Sequence, residues 1–200
     1  MISTLSKKHS FNTVFDSQKV FRLILEAMAN PARAVSIKEY TDKLFTAYDC
    51  HSMFLAVAMT LLDNEVGFNT CKNNSLADDI ASLTLAKKEK IEEADFVFVC
   101  DSDVKKIKSV IKNVKCGTLA DPHKSATVII QNDGEPDCTL VFSGPGIDDH
   151  VIIQTTQIIK ESLVLRDTQN YEYPQGIDLL FISGEGELLA IPRLVRMEVA

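Results

Sequence analysis

The chain has 200 residues, of which 46% are hydrophobic and 24% are charged, and its formal net charge at pH 7 is −7. These values are typical of an ordinary globular domain with one sizeable core. The acidic balance argues against broad, non-specific binding of nucleic acid, which needs a basic surface, although a single local site can still bind an anion.

The N-terminal segment and the cysteines indicate the cellular compartment in which we expect the protein. Residues 1–14 contain no apolar stretch typical of a signal peptide, and we expect them to form a flexible N-terminus. No uninterrupted apolar run is as long as the roughly 20 residues that a membrane helix needs. We therefore expect a cytoplasmic protein without a membrane partner. The five cysteines are irregularly spaced and include no C-x-x-C pair, which favours reduced thiols over disulfides or a metal centre.

The first predicted element is an amphipathic helix over 16–29. Its inward face is predicted from apolar residues at helical spacing, namely Phe21, Ile24, Leu25 and Met28. We expect Asp16 to cap its N-terminus, because an Asp side chain accepts hydrogen bonds from free amide groups. We expect Pro31 to end it, because the residue before a proline is disfavoured in a helix.

The next segments alternate between strand and helix patterns. They predict a strand over 32–37, a helix over 50–62, a strand over 65–70 and a helix over 75–86. We expect Asp49 to cap the second helix, and Ser75 with Asp78 to form a capping box for the third. The charged run over 87–94 is typical of a solvated connector.

The second half of the chain predicts more strands than helices. The patterns favour strands over 95–100, 126–131 and 138–144, helices over 102–114 and 153–170, and two closing strands within 173–193. The segment NDGEPD predicts a hairpin that joins the second and third of these strands. The segment SGEGE predicts a hairpin between the closing strands, with Gly184 and Gly186 able to adopt positive φ.

Helices and strands therefore interleave along the chain, with hairpins near its end. No repeat, low-complexity tract or domain boundary interrupts the pattern. We predict one α/β domain over 1–200, built as three layers in which helices flank both faces of a mixed β-sheet.

The sequence contains no complete catalytic motif. Ser143 lies in FSGPG, which is not the G-x-S-x-G of a nucleophile elbow. The four histidines are scattered, which argues against a metal site. The adjacent carboxylates Asp148 and Asp149 would need one group buried beside the other for acid–base catalysis. We therefore predict no catalytic residue and no metal, which favours a subunit of a larger assembly.

A few residues remain candidates for ligand binding. Gly144 and Gly146 follow a strand, where backbone N–H groups can bind a phosphate, but Pro145 removes one donor and a simple turn is the favoured alternative. Arg22 and Arg193 suit bidentate recognition of phosphate or carboxylate. The favoured alternative is that each arginine pairs with an acidic neighbour or with another subunit.

Asp178 interrupts an apolar strand near the end of the chain. A buried carboxylate needs a partner, and Arg193 or a backbone N–H can supply one. Structural pairing is the favoured interpretation, and contact with a ligand is the alternative.

Five ordered blocks resemble the PhnH family, whose members are subunits of the bacterial carbon–phosphorus lyase system. The most specific block is YPQGIDLLFISGEGELLAIPR, at 173–193, which is similar to the C-terminal signature of that family. The other blocks, in chain order, are VFRLILEAMANPA, TLLDNEVGF, CGTLADPHKSATVIIQ and LVFSGPGI. The blocks extend from residue 20 to residue 193. Ala32 and the pair Leu194 and Val195 depart from the family pattern, where Gly and two threonines are usual.

The resemblance implies a fold and a set of partners. It implies a reduced form of the fold of pyridoxal-phosphate-dependent transferases that has lost the cofactor site, so no cofactor is expected. It implies a homodimer that also joins subunits of the PhnG, PhnI and PhnJ types in a core complex. The block that contains Asp121 adds this residue to the candidates for ligand binding.

The resemblance also implies a function. The complex attaches an alkylphosphonate to the ribose of ATP with loss of adenine, which forms alkylphosphonate ribose triphosphate. A radical S-adenosylmethionine subunit with an iron–sulfur cluster then cleaves the carbon–phosphorus bond. The favoured role for this chain is that of a structural, partner-binding component of the first stage. The alternative is a nucleotide- or phosphonate-binding module with a direct transferase role.

Overall fold

The computed structural model describes residues 8–100, 103–169 and 171–199 of the chain. The helices are α1 (Phe15–Ala29), α2 (Lys38–Tyr48), α3 (Ser52–Leu61), α4 (Asn74–Thr84), α5 (Val104–Asn113) and α6 (Gln157–Asp167). The strands are β1 (Val35–Ser36), β2 (Gly67–Asn69), β3 (Lys87–Lys88), β4 (Phe96–Val99), β5 (Thr127–Gln131), β6 (Cys138–Ser143), β7 (Val151–Thr155), β8 (Asp178–Ile182), β9 (Glu187–Ile191) and β10 (Arg196–Val199).

Two sheets organise the described part of the chain. The main sheet has seven strands in the order β1-β9-β8-β5-β4-β2-β3, within the residues the structure describes. Its central pairs, from β2 to β8, are parallel, and β9 runs antiparallel to both of its neighbours. A smaller antiparallel sheet has the order β10-β6-β7. The predicted α/β class with a mixed sheet is confirmed.

Side-chain alternation along the central strands creates three layers. Phe98, Ile129 and Leu180 are in register across β4, β5 and β8 and pack in one core with α1 to α4. The residue before each of them points to the opposite face, because side chains alternate along a strand. These residues join a second core with α5, α6 and the smaller sheet, and they are Val97, Val128 and Leu179. The predicted helices on both faces of the sheet are therefore confirmed.

The closing hairpin is confirmed. Strands β8 and β9 are antiparallel neighbours, and Gly186 in their turn has φ +77°. A Cβ atom on Gly186 would lie 2.7 Å from the Cα atom of Lys38, so the turn also needs glycine for its close contact with α2. Gly184 keeps a φ outside the left-handed region.

The hairpin predicted between 126–131 and 138–144 is wrong. Both segments are strands, but β5 lies in the main sheet and β6 lies between β10 and β7 in the smaller one. The middle three residues of β5 are buried, as expected of a strand covered on both faces. Its edges are already occupied by β4 and β8, so the chain has to leave the main sheet before β6.

The helix predicted over 153–170 begins too early. Residues 151–155 form strand β7, and α6 begins at Gln157 after Thr156, whose side chain accepts a hydrogen bond from the Ile159 amide. The run VIIQT is too short for its apolar pattern to distinguish a strand from a helix. Strand β10, at the end of the described chain, was also missed.

Three capping predictions are wrong. The N-cap of α1 is Val14, and Asp16 instead lies in the first turn. Asp49 follows α2 at its C-cap, with φ +48°, and opens a 3-10 turn before α3. The cap of α4 is Asn73, whose side chain accepts from the Leu76 amide, rather than Ser75. The observed N-caps are Val14, His51 and Asn73, and each lies two residues from the predicted one, because local cap signals do not fix a helix boundary to the residue.

Helix α2 was not predicted, although its buried residues have a helical spacing. They are Thr41, Leu44 and Tyr48. The stretch Lys38–Leu61, which includes α2 and α3, has the length and hydropathy that a membrane-crossing helix would need. It is divided at Asp49, and α2 and α3 pack against each other, with α3 buried in the core. This stretch is therefore a pair of core helices.

The buried face of α1 differs from the prediction. Ile24 is buried as expected, but Phe21 and Leu25 are exposed. The helix instead buries Val20 and Ala27 with Ile24. The sequence carries two adjacent apolar stripes on α1, and the helix buries the stripe of Val20, Ile24 and Ala27 against α3 and β9.

The N-terminal segment that was predicted to be flexible is described from residue 8. Residues 1–7 lie outside the described residues. Phe11 is buried, and the Ser10 amide donates to the Lys43 carbonyl, so this part of the segment packs against α2. The extent of the single domain over 1–200 stays a prediction.

Candidate functional site

Asp178 and Arg193 form a nearly buried ion pair. Asp178 opens β8 and Arg193 follows β9, and the antiparallel register of Leu179 with Ile191 brings them together. The Arg193 amide donates to Asp178 Oδ1 over 2.8 Å, its Nε donates to the same oxygen over 3.2 Å, and its Nη2 donates to Oδ2. The pairing that the sequence favoured is therefore present. Contact of either residue with a ligand stays a prediction.

Loops on both sides hold the Arg193 side chain. Its Nη1 donates to the carbonyl of Pro122. Gly176 lies against it, and a Cβ atom on Gly176 would be 2.9 Å from Arg193 Cβ. The Gln175 side chain donates to the Gly117 carbonyl, which ties the two loops together. Arg193 thus joins the start of β8, the end of β9 and the loop before β5.

Asp121 lies next to this cluster in the chain. It precedes the 3-10 turn Pro122–Lys124, and its Oδ2 accepts from Lys124 Nζ over 3.0 Å. Its amide donates to Thr118 Oγ1 over 2.9 Å. Asp121 therefore shapes the loop whose Pro122 carbonyl contacts Arg193.

The glycine loop also borders this region. Gly144 has φ +128°, and a Cβ atom on it would lie 3.0 Å from the Leu194 carbonyl oxygen. Gly146 has φ +85°, and a Cβ atom there would lie 2.7 Å from the Ala29 carbonyl oxygen. Both glycines allow close contact with backbone, which agrees with the favoured interpretation as a turn. A role in phosphate binding stays a prediction.

Arg22 is separate from these residues. It lies on the exposed face of α1, and it does not line the cavity beside Arg193. The structure thus brings together Asp178 and Arg193, with Asp121 and Gly144 in the loops around them.

A cavity of about 390 Å³ lies beside Arg193. Its cationic lining residues are Arg166, Arg193 and Arg196, and Asp167 and Glu198 also line it. Burial raises the pKa of Tyr171, another lining residue, to about 12. The phenol is therefore neutral near pH 7.

Arg166 was missed by the sequence analysis. It is 2% exposed, its Nη2 donates to the Val195 carbonyl over 2.6 Å, and its Nη1 donates to the Pro192 carbonyl over 3.2 Å. It therefore fixes the backbone on both sides of Arg193. The signal was an arginine on the apolar face of α6, at helical spacing from the buried Ile159 and Leu163.

The arginine side chains Arg166 and Arg193 beside the cavity act as hydrogen-bond donors that are held in place, and the described residues there do not form a metal or Schiff-base cofactor site. In the described ranges, no three His, Cys, Asp or Glu side chains converge in an arrangement that could hold a metal ion. The five cysteines all lie in the described ranges and are not joined in disulfides. A Schiff-base cofactor such as pyridoxal phosphate needs a lysine held in its pocket, and none of the described residues that line the cavity beside Arg193 is a lysine. The residues of this cavity do not fit that cofactor.

Comparisons with known proteins agree with the sequence blocks. Residues 9–198 match the model of a family described as bacterial phosphonate metabolism protein (PhnH). The chain is also similar to a protein of Stutzerimonas stutzeri described as a candidate C-P lyase subunit protein, HtxG. The two are 26% identical over 184 residues, which cover 91% of this chain and 86% of the relative. The match to the family model includes every quoted block, the Asp178–Arg193 pair and the glycine loop. The chain belongs to the PhnH family of bacterial phosphonate metabolism proteins.

Proposed function

We propose that the chain is a subunit of a multi-subunit carbon–phosphorus lyase and that its main role is to bind partner subunits. Membership of the PhnH family over 9–198 and the similarity to HtxG support this role in phosphonate catabolism. Within that system, we propose that the chain takes part in forming alkylphosphonate ribose triphosphate from ATP and an alkylphosphonate. Its proposed partners are a second copy of the chain and subunits of the PhnG, PhnI and PhnJ types, in the cytoplasm.

The internal hydrogen bonds of Arg193 are the observation that best supports a structural role. Its Nε, Nη1 and Nη2 atoms and its amide all donate within the protein. A donor engaged in this way is available to a ligand only if an internal bond breaks, and a carboxylate left buried without its partner is costly. The Asp178–Arg193 pair therefore supports a structural role better than a catalytic one.

An exposed apolar stripe on α1 supports partner binding. It consists of Val14, Phe21 and Leu25, which are 68%, 49% and 55% exposed. Phe21 and Leu25 are four residues apart and are neighbours on the helix surface, and Val14 caps the helix two turns before Phe21. Adjoining large apolar side chains on a surface are typical of sites that another protein covers.

The proposed fold relationship is that of a reduced transferase. The main sheet is mixed, with helices on both faces. This architecture supports a relative of the pyridoxal-phosphate-dependent transferases, and the loss of the cofactor site is part of the same proposal.

Co-purification tests the partner-binding role. The tagged chain is co-expressed with the neighbouring subunits, and the recovered complex is compared with that of Phe21→Ser/Leu25→Ser. We expect the wild type to recover the partners and the double variant to lose most of them. Ile152→Ser is the matched control, because Ile152 is equally exposed at 57% but lies in the smaller sheet. Failure of the wild type to associate with any subunit would refute the proposal.

The cavity beside Arg193 favours a second candidate, a nucleotide- or phosphonate-binding module with a direct transferase role. Three arginines line this cavity, and of these Arg196 is exposed. Arginine suits phosphate recognition. Calorimetric titration of the isolated chain with ATP and with methylphosphonate tests it. We expect Arg196→Ala to weaken any binding here, because Arg196 is exposed. Two silent titrations would exclude direct binding by this subunit alone.

A further inference from the structure

A cavity lies between the two sheets, beside the second core, and we call it the inter-sheet cavity. Its volume is about 440 Å³, which is in the range of small-molecule sites. Phe181 and Leu189 line it from the main sheet, and Ile153 lines it from the smaller sheet. Ile153 and Leu189 pack against the second core but are only partly buried. The two sheets therefore leave a gap that their own side chains do not fill.

The lining of the inter-sheet cavity is apolar and carries little charge. Among its described lining residues none is a lysine or an arginine, and the one acid is Glu187, which is exposed. Moving an ionised phosphate into such a site without a cationic partner is costly. Apolar side chains form much of the lining and include Ile159 and Phe181, which are almost completely buried. The lining therefore favours an uncharged ligand with an apolar or flat body.

Asn132 supplies a hydrogen-bond donor whose orientation is fixed. Thr156 Oγ1 accepts from the Ile159 amide at the start of α6 and donates to Asn132 Oδ1. Because the amide oxygen is bonded in this way, Nδ2 is the half of the Asn132 amide that remains for a ligand. Asn132 and Thr156 both line the cavity, and no described residue accepts a hydrogen bond from Nδ2. The site can therefore donate to a carbonyl oxygen or a ring nitrogen.

Thr155 supplies a second polar group. It is 4% exposed and lines the cavity. Its carbonyl accepts from the Asp137 amide over 3.0 Å, whereas no hydrogen bond joins its Oγ1 atom to a described residue. Buried hydroxyl groups normally have a hydrogen-bond partner. A polar atom on a bound ligand would supply one.

We propose that the inter-sheet cavity binds an uncharged ring compound that carries hydrogen-bond acceptors and has the size of a nucleoside. The ring contacts Phe181 and Leu189, and the acceptors bind Asn132 Nδ2 and Thr155 Oγ1. The inter-sheet cavity and the cavity beside Arg193 have no described lining residue in common. The proposal does not depend on the partner-binding role.

The test is calorimetric titration of the full chain with uridine and with UMP. Uridine is uncharged and presents carbonyl acceptors on a flat ring, so we expect it to bind saturably. UMP has the same base and sugar but carries an ionised phosphate, for which the described lining residues offer no cationic partner. We therefore expect UMP to bind at least about tenfold more weakly. Binding of UMP that is as tight as that of uridine would contradict the proposed ligand class.

Two variants test the polar contacts. Asn132→Asp keeps an oxygen that can accept from Thr156 Oγ1 but removes the Nδ2 donor, and Thr155→Val removes the hydroxyl with little change of shape. Each should weaken uridine binding by about three- to tenfold, because each removes one hydrogen bond. Thr139→Val is the matched control, because Thr139 lies opposite Gln154 on β6 and does not line the cavity. It should bind uridine as the wild type does.

Two further variants identify the location of the ligand. Ala34 is exposed and lines the cavity, so Ala34→Phe places a ring at the site and should weaken uridine binding by at least about tenfold. Arg196→Ala should bind uridine as the wild type does, because Arg196 lines the cavity beside Arg193 and not the inter-sheet cavity. If a polar variant does not fold, as judged by circular dichroism, Ala34→Phe decides. No saturable uridine binding by the wild type, unchanged binding in Ala34→Phe, or equal loss in Thr139→Val would overturn the proposal.

Discussion

Among the described residues, Arg193 donates three hydrogen bonds to the Asp178 carboxylate. The carboxylate is 11% exposed and the arginine side chain is 19% exposed. At the residue scale, this pair and the Pro122 carbonyl connect three segments that are distant in sequence. A buried ion pair adds little net stability compared with apolar residues of equal size, but removing one partner is costly.

Asp178→Ala should therefore lower the free energy of unfolding by about 3–5 kcal/mol, because it leaves the Arg193 guanidinium nearly buried without its counter-charge. Chemical denaturation at pH 7 measures this change. The control is Asp121→Ala, which removes the exposed pair with Lys124 and should cost less than about 1 kcal/mol. Equal losses in the two variants would contradict the structural role of the pair.

At the element scale, α1 shows how one helix can serve two surfaces. Its buried stripe packs against α3 and β9, and its exposed stripe of Val14, Phe21 and Leu25 adjoins it. Contacts with residues outside α1 hold its first turn in place. Asp16 accepts from the Asn12 amide over 2.7 Å and from Lys43 Nζ over 2.8 Å, which fastens the first turn of α1 to α2.

The Asp16 contacts predict a pH dependence of stability. Burial raises the pKa of Asp16, but the hydrogen bonds from the Asn12 amide and Lys43 outweigh burial and hold the pKa below its usual value. The unfolded chain, with an Asp pKa of about 3.9, therefore binds the proton first as the pH falls. The stabilisation is complete above that pH and is lost as the pH falls through the lower pKa of the folded state.

Asp16→Asn should accordingly cost about 1–2 kcal/mol at pH 7, and the difference from the wild type should shrink below about pH 4. Urea unfolding at pH 7, 4 and 3 measures both effects. Asp42→Asn is the control, because Asp42 is 61% exposed and its nearest ammonium nitrogen is 3.9 Å away. A difference between Asp16→Asn and the wild type that is constant with pH would refute this explanation.

At the scale of the whole molecule, stability should follow the layers. Strands β4, β5 and β8 lie inside the main sheet between two cores, and every residue of β8 is buried. Strands β7 and β10 are the edges of the smaller sheet and keep exposed residues such as Ile152 and Val199. Protection against hydrogen exchange is greatest where opening requires global unfolding.

We therefore expect the slowest amide exchange in β4, β5 and β8, and faster exchange in β7 and β10. Hydrogen–deuterium exchange with mass spectrometry, resolved to peptides, measures the order. The peptide that covers β6 is an internal reference, because β6 has a neighbour on both sides and should exchange more slowly than either edge. Protection in β7 equal to that in β8 would show that the two sheets unfold as a single unit.

The sequence alone determined the class of the fold and the identity of most elements. The apolar spacing in α5 and the apolar runs of β4, β5, β8 and β9 carry their own periodicity, so these elements were predicted correctly. The Asp178–Arg193 pair could also be predicted from the sequence, because a carboxylate inside an apolar strand needs a partner. Local patterns of this kind can be predicted from the sequence because they depend on residues that are close together in the chain.

Which elements meet depends on the assembled fold. Strand β5 pairs with β8 and not with β6, and α1 buries Val20 rather than Phe21, because in each case a distant segment selects between two locally equivalent choices. The buried position of Arg166 follows from the same cause. The connections after β2 and β4 also diverge, because α4 and α5 pack in cores on opposite faces of the sheet, and the handedness and order of such connections are properties of the assembled sheet rather than of any segment.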